Sequence, residues 1–375
     1  MQLFVHGVAA RRVRIWAGLL VVAIATVSAR AAVLPEDRAD ATYHYYDGGG
    51  TEVNGPSLLV RKGIGDVASV YGYYYQDAIS GASIDVVTTA SPYKEKRNEY
   101  GIGADFLRRN TLVNFSYSNS DEPDYLSEMF GVKLSHELFD AMTTVSLGYR
   151  VGHDTVLRTG TDFQDYVDRW QYTLGLSQVF TRRLVMSLAY DSTLDDGYLN
   201  SPYRGARLNG LLVPERYPRT RDSNALALRG VYGFSTNEGR LSSSLRAGYR
   251  YFWDTWQIQA HTLEVAYQRY FGSRWIGEAN FRYYSQTAAS FYSDNFTQSQ
   301  VYMARDKELS TFDSYGLGIK GTWWFYRNPS SQRRASLNFT GNRVYYDYKD
   351  FTDVRNGQLY SFEANIMQVY VSLWY

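Results

Sequence analysis

From Ala41 to Tyr375 the chain repeats itself every two residues, with one parity apolar and the other glycine, hydroxyl-bearing or charged. A strand sends successive side chains to opposite faces, whereas a helix returns to a face every 3 to 4 residues, so this period commits nearly the whole chain to β-structure. Tyr100, Ile102, Ala104 and Phe106 alternate with Gly101, Gly103 and Asp105. Trp170, Tyr172, Leu174 and Leu176 stand against Gln171, Thr173, Gly175 and Ser177, and Leu245, Ala247, Tyr249 and Tyr251 against Ser244, Arg246, Gly248 and Arg250. A soluble sandwich would bury its apolar parity in a shared core rich in Val, Ile and Leu. Here the apolar parity repeatedly ends in Tyr or Trp, and the chain holds 35 tyrosines and 8 tryptophans against 8 prolines. Rings with one wet edge suit the boundary between lipid and water, so the sequence predicts strands with an apolar middle in lipid and aromatic girdles at both interfaces.

The connections carry a second regularity. Short polar turns are expected near 61–66, 108–110, 137–141, 180–183, 235–240, 271–274 and 327–334, alternating with longer segments at 80–97, 120–124, 152–166, 192–222, 286–308 and 349–363. Such alternation of tight turns and long loops marks a transmembrane antiparallel barrel, with both termini on the periplasmic side. The expectation is an all-β fold of about 16 strands, within roughly 14 to 18, each long enough to cross. The connection near Asp254 is too short for its side and marks one doubtful hairpin.

Residues 1–31 read as a cleaved signal peptide. Arg11, Arg12 and Arg14 precede an apolar run from Ile15 to Val27, followed by Ser28-Ala29-Arg30-Ala31. The run is too short to span a bilayer, which takes about 20 residues. Residues 32–375 are then a single barrel domain, and since four arginines fall in the leader, the remainder carries a net charge of about −3. Near-neutral charge argues against a nucleic-acid partner. With no cysteine, disulfides, thiolate–metal sites and thiol nucleophiles are excluded. The last strand puts Val369, Val371, Leu373 and Tyr375 on one parity. This resembles the signal that outer-membrane proteins present to the barrel-assembly machinery, so that machinery, outer-membrane lipid and lipopolysaccharide are the expected partners.

The stretches LPEDRADATYHYYDGGG (34–50), GPSLLVRKGIGD (55–66), SIDVVTTASPYKEKRNEY (83–100) and VPERYPRTRDSNALALR (213–229) resemble a family of proteobacterial outer-membrane proteins known only as a domain of unknown function. The resemblance implies a β-barrel in the outer membrane of a Gram-negative cell. It implies no activity or substrate.

No catalytic motif stands out. His44, His136, His153 and His261 lie outside any metal-ligand spacing, although His153-Asp154 could contribute to a dyad. Asp195-Asp196 and Asp121-Glu122-Pro123-Asp124 lack calcium-loop spacing, and the glycines at 101–103 and 316–321 sit within strands rather than before a helix. No cofactor, resident metal or enzymatic step is expected. Charge on the lumen parity is more informative: Lys133, Arg150, Arg246, Arg250, Arg282 and Lys320 against Asp105, Asp191, Glu264 and Glu278. The segment from Tyr203 to Arg221 holds Arg204, Arg207, Arg216, Arg219 and Arg221 with Glu215 as its only acid. Folded into the barrel, it would form a constriction favouring anions; lying outside, it would meet lipopolysaccharide phosphates. The leading expectation is a porin-like channel for small polar or anionic solutes. Behind it stand a non-conducting scaffold with a plugged lumen, then a barrel enzyme, and last a soluble secreted β-protein.

Overall fold

The computed structural model describes residues 32–81, 93–235, 241–328 and 330–375; the expected leader and the connections at 82–92 and 236–240 lie outside them. Among the described residues, 16 antiparallel strands close into one barrel. In chain order the elements are β1 (Arg38–Gly48), β2 (Thr51–Ile64), β3 (Ala68–Gly81), β4 (Tyr93–Arg108), β5 (Thr111–Glu122), β6 (Tyr125–Leu138), β7 (Thr143–Leu157), β8 (Gln164–Thr181) and β9 (Leu184–Gly197). A small hairpin, β10 (Gly205–Leu208) and β11 (Leu211–Pro214), follows. The barrel resumes with β12 (Thr220–Ser235), β13 (Leu241–Asp254), β14 (Gln259–Phe271), β15 (Trp275–Gln286), β16 (Phe312–Arg327), β17 (Arg334–Thr352) and β18 (Leu359–Trp374). Each barrel strand pairs with its neighbours, and β1 closes on β18 in continuous register from Arg38↔Trp374 to Gly48↔Ala364. Closure is what lipid demands, because an open edge would leave a row of amide groups with no water to satisfy them. Tyr375 secures the seam: its hydroxyl donates to the Arg61 carbonyl at 3.0 Å, reaching past β1 to β2, while Lys62 stands over its ring at 5.1 Å.

The outer face carries the expected band. Leu58, Ile102, Phe115, Val132, Leu147, Leu174, Leu228, Leu263, Leu317 and Ile319 are exposed around the wall, as lipid-facing groups must be when the protein stands alone. Tyrosines on adjacent strands form the upper girdle: Tyr149 meets Tyr172 with centroids 5.3 Å apart, and Tyr283 meets Tyr315 at 5.2 Å. His261 belongs to this ring, its Nδ1 being 2.6 Å from the Tyr249 hydroxyl. The lower girdle includes Trp275 stacked on Trp323 at 5.6 Å.

Tyrosine does not serve the girdles alone. Tyr46, Tyr71, Tyr73, Tyr75, Tyr125, Tyr284, Tyr346, Tyr348 and Tyr360 lie on the inner parity, as their registers with Asp105, Arg61 and Asn342 neighbours require. There the ring fills width and the hydroxyl finds polar partners: Tyr73 donates to Glu99 at 2.9 Å and Tyr125 to Asp154 at 2.6 Å.

Three connections also differ from expectation. Residues 123–124 form a tight turn rather than a loop, and the segments at 152–166 and 349–363 shrink to 158–163 and 353–358. Strands of 11 to 19 residues run past the membrane, which needs about 9 to 11, and their protruding ends are polar on both faces and so resemble loops in sequence. The short β13–β14 connection is genuine: it dips inward, burying Trp256 and Ile258 beneath the long loops. By the usual rule of turn lengths, the end holding both chain termini is periplasmic. Placing a charge at Leu317, 68% exposed on the outer face, is expected to cost about 2 to 4 kcal/mol for Leu317→Arg near mid-membrane. Equilibrium unfolding in lipid vesicles measures it, and a loss below roughly 0.5 kcal/mol would remove Leu317 from the lipid face.

Candidate functional site

Two outer loops, 198–219 and 287–311, fold on each other to make a cap at the extracellular mouth. Gly197 starts the first: at φ +142° its α-carbon lies so close to Tyr166 that a β-carbon would sit 2.0 Å from that residue's carbonyl oxygen. The β10–β11 hairpin turns at Asn209-Gly210 and is stitched to the second loop by backbone bonds, from Asn209 N to Phe296 O at 2.7 Å and from Phe296 N to Arg207 O at 2.8 Å. Arg216 and Met303 exchange both backbone bonds, at 2.9 and 2.8 Å. Ala206, Phe296 and Met303 form one small core; Trp256, Ile258, Ala289, Phe291, Ala304 and Leu309 form another, with Tyr217 packed on it. At one side the cap is held to the wall by Arg305, whose guanidinium lies 4.3 Å over the Phe351 ring and donates to the Thr352 carbonyl at 2.6 Å. At the other, the Tyr203 hydroxyl accepts from the Thr159 amide at 2.9 Å.

The arginine-rich segment is therefore mostly structural. Arg204 pairs with Asp306. Arg216 donates to Ser299 Oγ at 3.0 Å. Arg219 grips Asp165 with two bonds of 2.8 and 2.9 Å at the rim. Arg207 stands opposite Leu212 in the hairpin. Arg221 holds Asp254 at 2.7 Å and lies 4.4 Å over the Trp256 ring. Of the five, the structure brings Arg204 and Arg221 together on one chamber and leaves Arg207, Arg216 and Arg219 off its walls. That chamber, about 470 Å³ between cap and wall, is also lined by Arg169 and Arg250, which the loop sequence alone does not point to. Arg169 could have been found on the inner parity of β8, beside Asp165, Val167 and Gln171.

Lower down, the inner wall carries the charges that alternation places there. Arg61 pairs with Asp105, which also accepts from Asn114 at 2.8 Å. Arg246 pairs with Glu278 at 2.9 Å, and Arg282 with Glu264 at 3.6 Å. Lys320 faces Glu278 in register, but that carboxylate is taken by Arg246. Among the described residues Lys133, Arg150, Arg229, Arg250 and Lys320 form no ion pair, while Asp191 accepts the Thr173 hydroxyl at 2.9 Å. Arg282, on the lumen wall, lies 5.2 Å over the ring of Tyr284, which lines the chamber together with Arg221 and Arg250.

The histidines occupy scattered places. His44 lies inside, 2.7 Å from Asp77 and stacked on Tyr75 at 4.7 Å. His136 meets the Thr111 hydroxyl at 2.8 Å. His153 and Asp154 face opposite ways: His153 bonds Asp168 at 2.7 Å on the outer face, whereas Asp154 is buried inside beside Arg169. Among the described residues no group of three or more His, Asp or Glu side chains is arranged to hold a metal ion.

A closed antiparallel barrel with an apolar outer band, aromatic girdles and a charged, hydrogen-bonded interior is an outer-membrane β-barrel of the bacterial envelope. The chain belongs to the family described as protein of unknown function (DUF3570), whose model matches residues 161–362, from the rim of β8 to the last strand, both cap loops included. No curated protein shows significant similarity to it. Solved structures similar to the chain include the siderophore receptor PirA from Pseudomonas aeruginosa, at 9% identity and a TM-score of 0.44, covering 90% of this chain and 81% of that one. A Pseudomonas aeruginosa FadL homologue shows 11% identity and a TM-score of 0.43, covering 91% and 90%. Pseudomonas aeruginosa OpdK, solved with vanillate, shows 10% identity and a TM-score of 0.44, covering 92% and 100%. At such values the chain's own closure and girdles, rather than these likenesses, carry the assignment.

Glu215 latches the two cap loops, accepting from the Arg305 amide at 2.6 Å. Its burial, with Asp306 close by, pushes the carboxyl up to about 7 from an ordinary 4.5. Although the Arg305 amide favours the ionised form, burial and Asp306 outweigh it, so the neutral carboxyl is accommodated fully below about 4.5 and the cap loses stability as pH rises through about 7. Hydrogen exchange across 198–219, corrected for intrinsic rates, should be faster at pH 8 than at pH 5. Glu215→Gln should flatten that difference; a variant keeping the full pH dependence would clear Glu215 of the role.

Proposed function

We propose that the protein is a channel that admits small anionic solutes through a capped outer mouth. The observation that carries the reading is the set of inward-facing cations without carboxylate partners among the described residues, Lys133, Arg150, Arg229, Arg250 and Lys320. Paired charges largely cancel at a distance, whereas unpaired ones set the potential of a water-filled passage and so its preference among ions. A barrel of 16 strands is wide enough to hold an aqueous lumen. No catalytic step belongs to this proposal. Val371, Leu373 and Tyr375 would serve earlier, as the strand end offered to the barrel-assembly machinery, and the rim arginines Arg216 and Arg219 would meet lipopolysaccharide phosphates.

In planar bilayers under a salt gradient the reversal potential is expected to favour anions. The pair Arg229→Gln and Lys320→Gln, both on the wall below the cap, should move it toward zero. Cation preference in the unaltered protein, or an unchanged potential in the variant, would overturn the reading. A second reading, a non-conducting scaffold, draws on the cap's own buried cores and would be favoured by silent bilayers that begin to conduct once residues 202–218 are deleted.

A further inference from the structure

The chamber beneath the cap is a more selective place than the lumen below it. Four guanidinium groups reach it, and three are neutralised: Arg169 by Asp195 at 2.6 Å and Asp154 at 3.5 Å, Arg221 by Asp254, and Arg204 by Asp306. Arg250 is the exception. Its guanidinium lies 5.5 Å over the Phe252 ring and forms no ion pair with a described carboxylate. A planar fork of donors with no counter-ion, held against an aromatic face, matches a carboxylate and asks for one negative charge. Asp195 and Asp306 on the same walls are taken by Arg169 and Arg204, so a second negative charge on the occupant would find no further cation without a described carboxylate partner and would meet Glu308. Between these poles stand Trp256, Tyr217, Phe252 and Tyr284, whose ring faces and edges suit a flat apolar body. About 470 Å³ falls within the range of small-molecule pockets.

We propose that this chamber is a saturable binding site for a small monoanion carrying one carboxylate and one ring, anchored by Arg250. The inference deepens the channel reading, on which it rests for the route by which the solute arrives, but equilibrium binding can be measured without conduction. Benzoate is the probe, titrated against purified protein in detergent by calorimetry or by the fluorescence of the chamber tryptophan. Benzamide removes the charge, acetate removes the ring and phthalate adds a second charge; each is expected to bind the unaltered protein at least about tenfold more weakly. That comparison needs no mutation, so it holds whether or not a variant folds. Arg250→Gln should weaken benzoate by about tenfold or more and Arg250→Lys by less, because the charge remains while the fork is lost. Arg229→Gln, which changes an unpaired lumen cation away from the chamber walls, should leave benzoate affinity unchanged while shifting the reversal potential. Benzoate binding no tighter than benzamide, or equal in Arg250→Gln, would overturn the site and leave the channel intact. Tight, Arg250-dependent binding with silent bilayers would overturn the channel and leave the site.

Discussion

Everything in this molecule depends on satisfying backbone amides where no water can reach them. The β1–β18 seam is the place where that requirement is met or lost, and it is the longest-range pairing in the chain, Arg38 with Trp374. Once the seam closes, each residue's parity decides whether it meets lipid or lumen, and a slip of one residue would turn Leu317 and Ile319 inward and Lys320 outward. The Tyr375 hydroxyl on the Arg61 carbonyl pins the register at that end. Girdles, inner charges and cap all follow from a frame fixed there.

Much of this was legible in sequence because lipid writes a strong signal. The alternation of Tyr100, Ile102 and Phe106, or of Leu245, Tyr249 and Tyr251, needs no partner to be read, and it yields the sheet, its sidedness and a strand number that matches the structure. Inner tyrosines such as Tyr71, Tyr73 and Tyr75 are not told apart in sequence, since an aromatic ring reads alike on either face; only the company of Asp105 and Glu99 in the neighbouring strand shows that these look inward. Strand ends were hard to read for a related reason. Beyond the membrane both faces are wet, and the alternation that defines a strand fades at residues such as Asp165 and Asp168 although the ladder continues.

The cap shows where sequence reading stops. Its arginines look like a free basic cluster because their acids are far along the chain: Asp306 lies 102 residues from Arg204 and Asp165 lies 54 from Arg219. Pairing at that separation is created by the barrel, which brings loop roots together that the chain keeps apart. The same geometry leaves Arg250 without a described carboxylate partner. Its isolation is invisible in the sequence, where Glu264 and Asp254 stand nearby, and emerges only when Arg282 and Arg221 have claimed them.

The stitching between the two long loops has a mechanical consequence. Loop 198–219 springs from β9 and β12, and loop 287–311 from β15 and β16, so the cap stands on four feet separated along the rim by β13 and β14. With Phe296 bonded to β10 and Arg216 to Met303, neither loop can lift while the other stays. Arg305 on Phe351 and Tyr203 on Thr159 add a brace at two further points of the rim, so the cap is carried like a bridge on several abutments instead of hanging from one hinge.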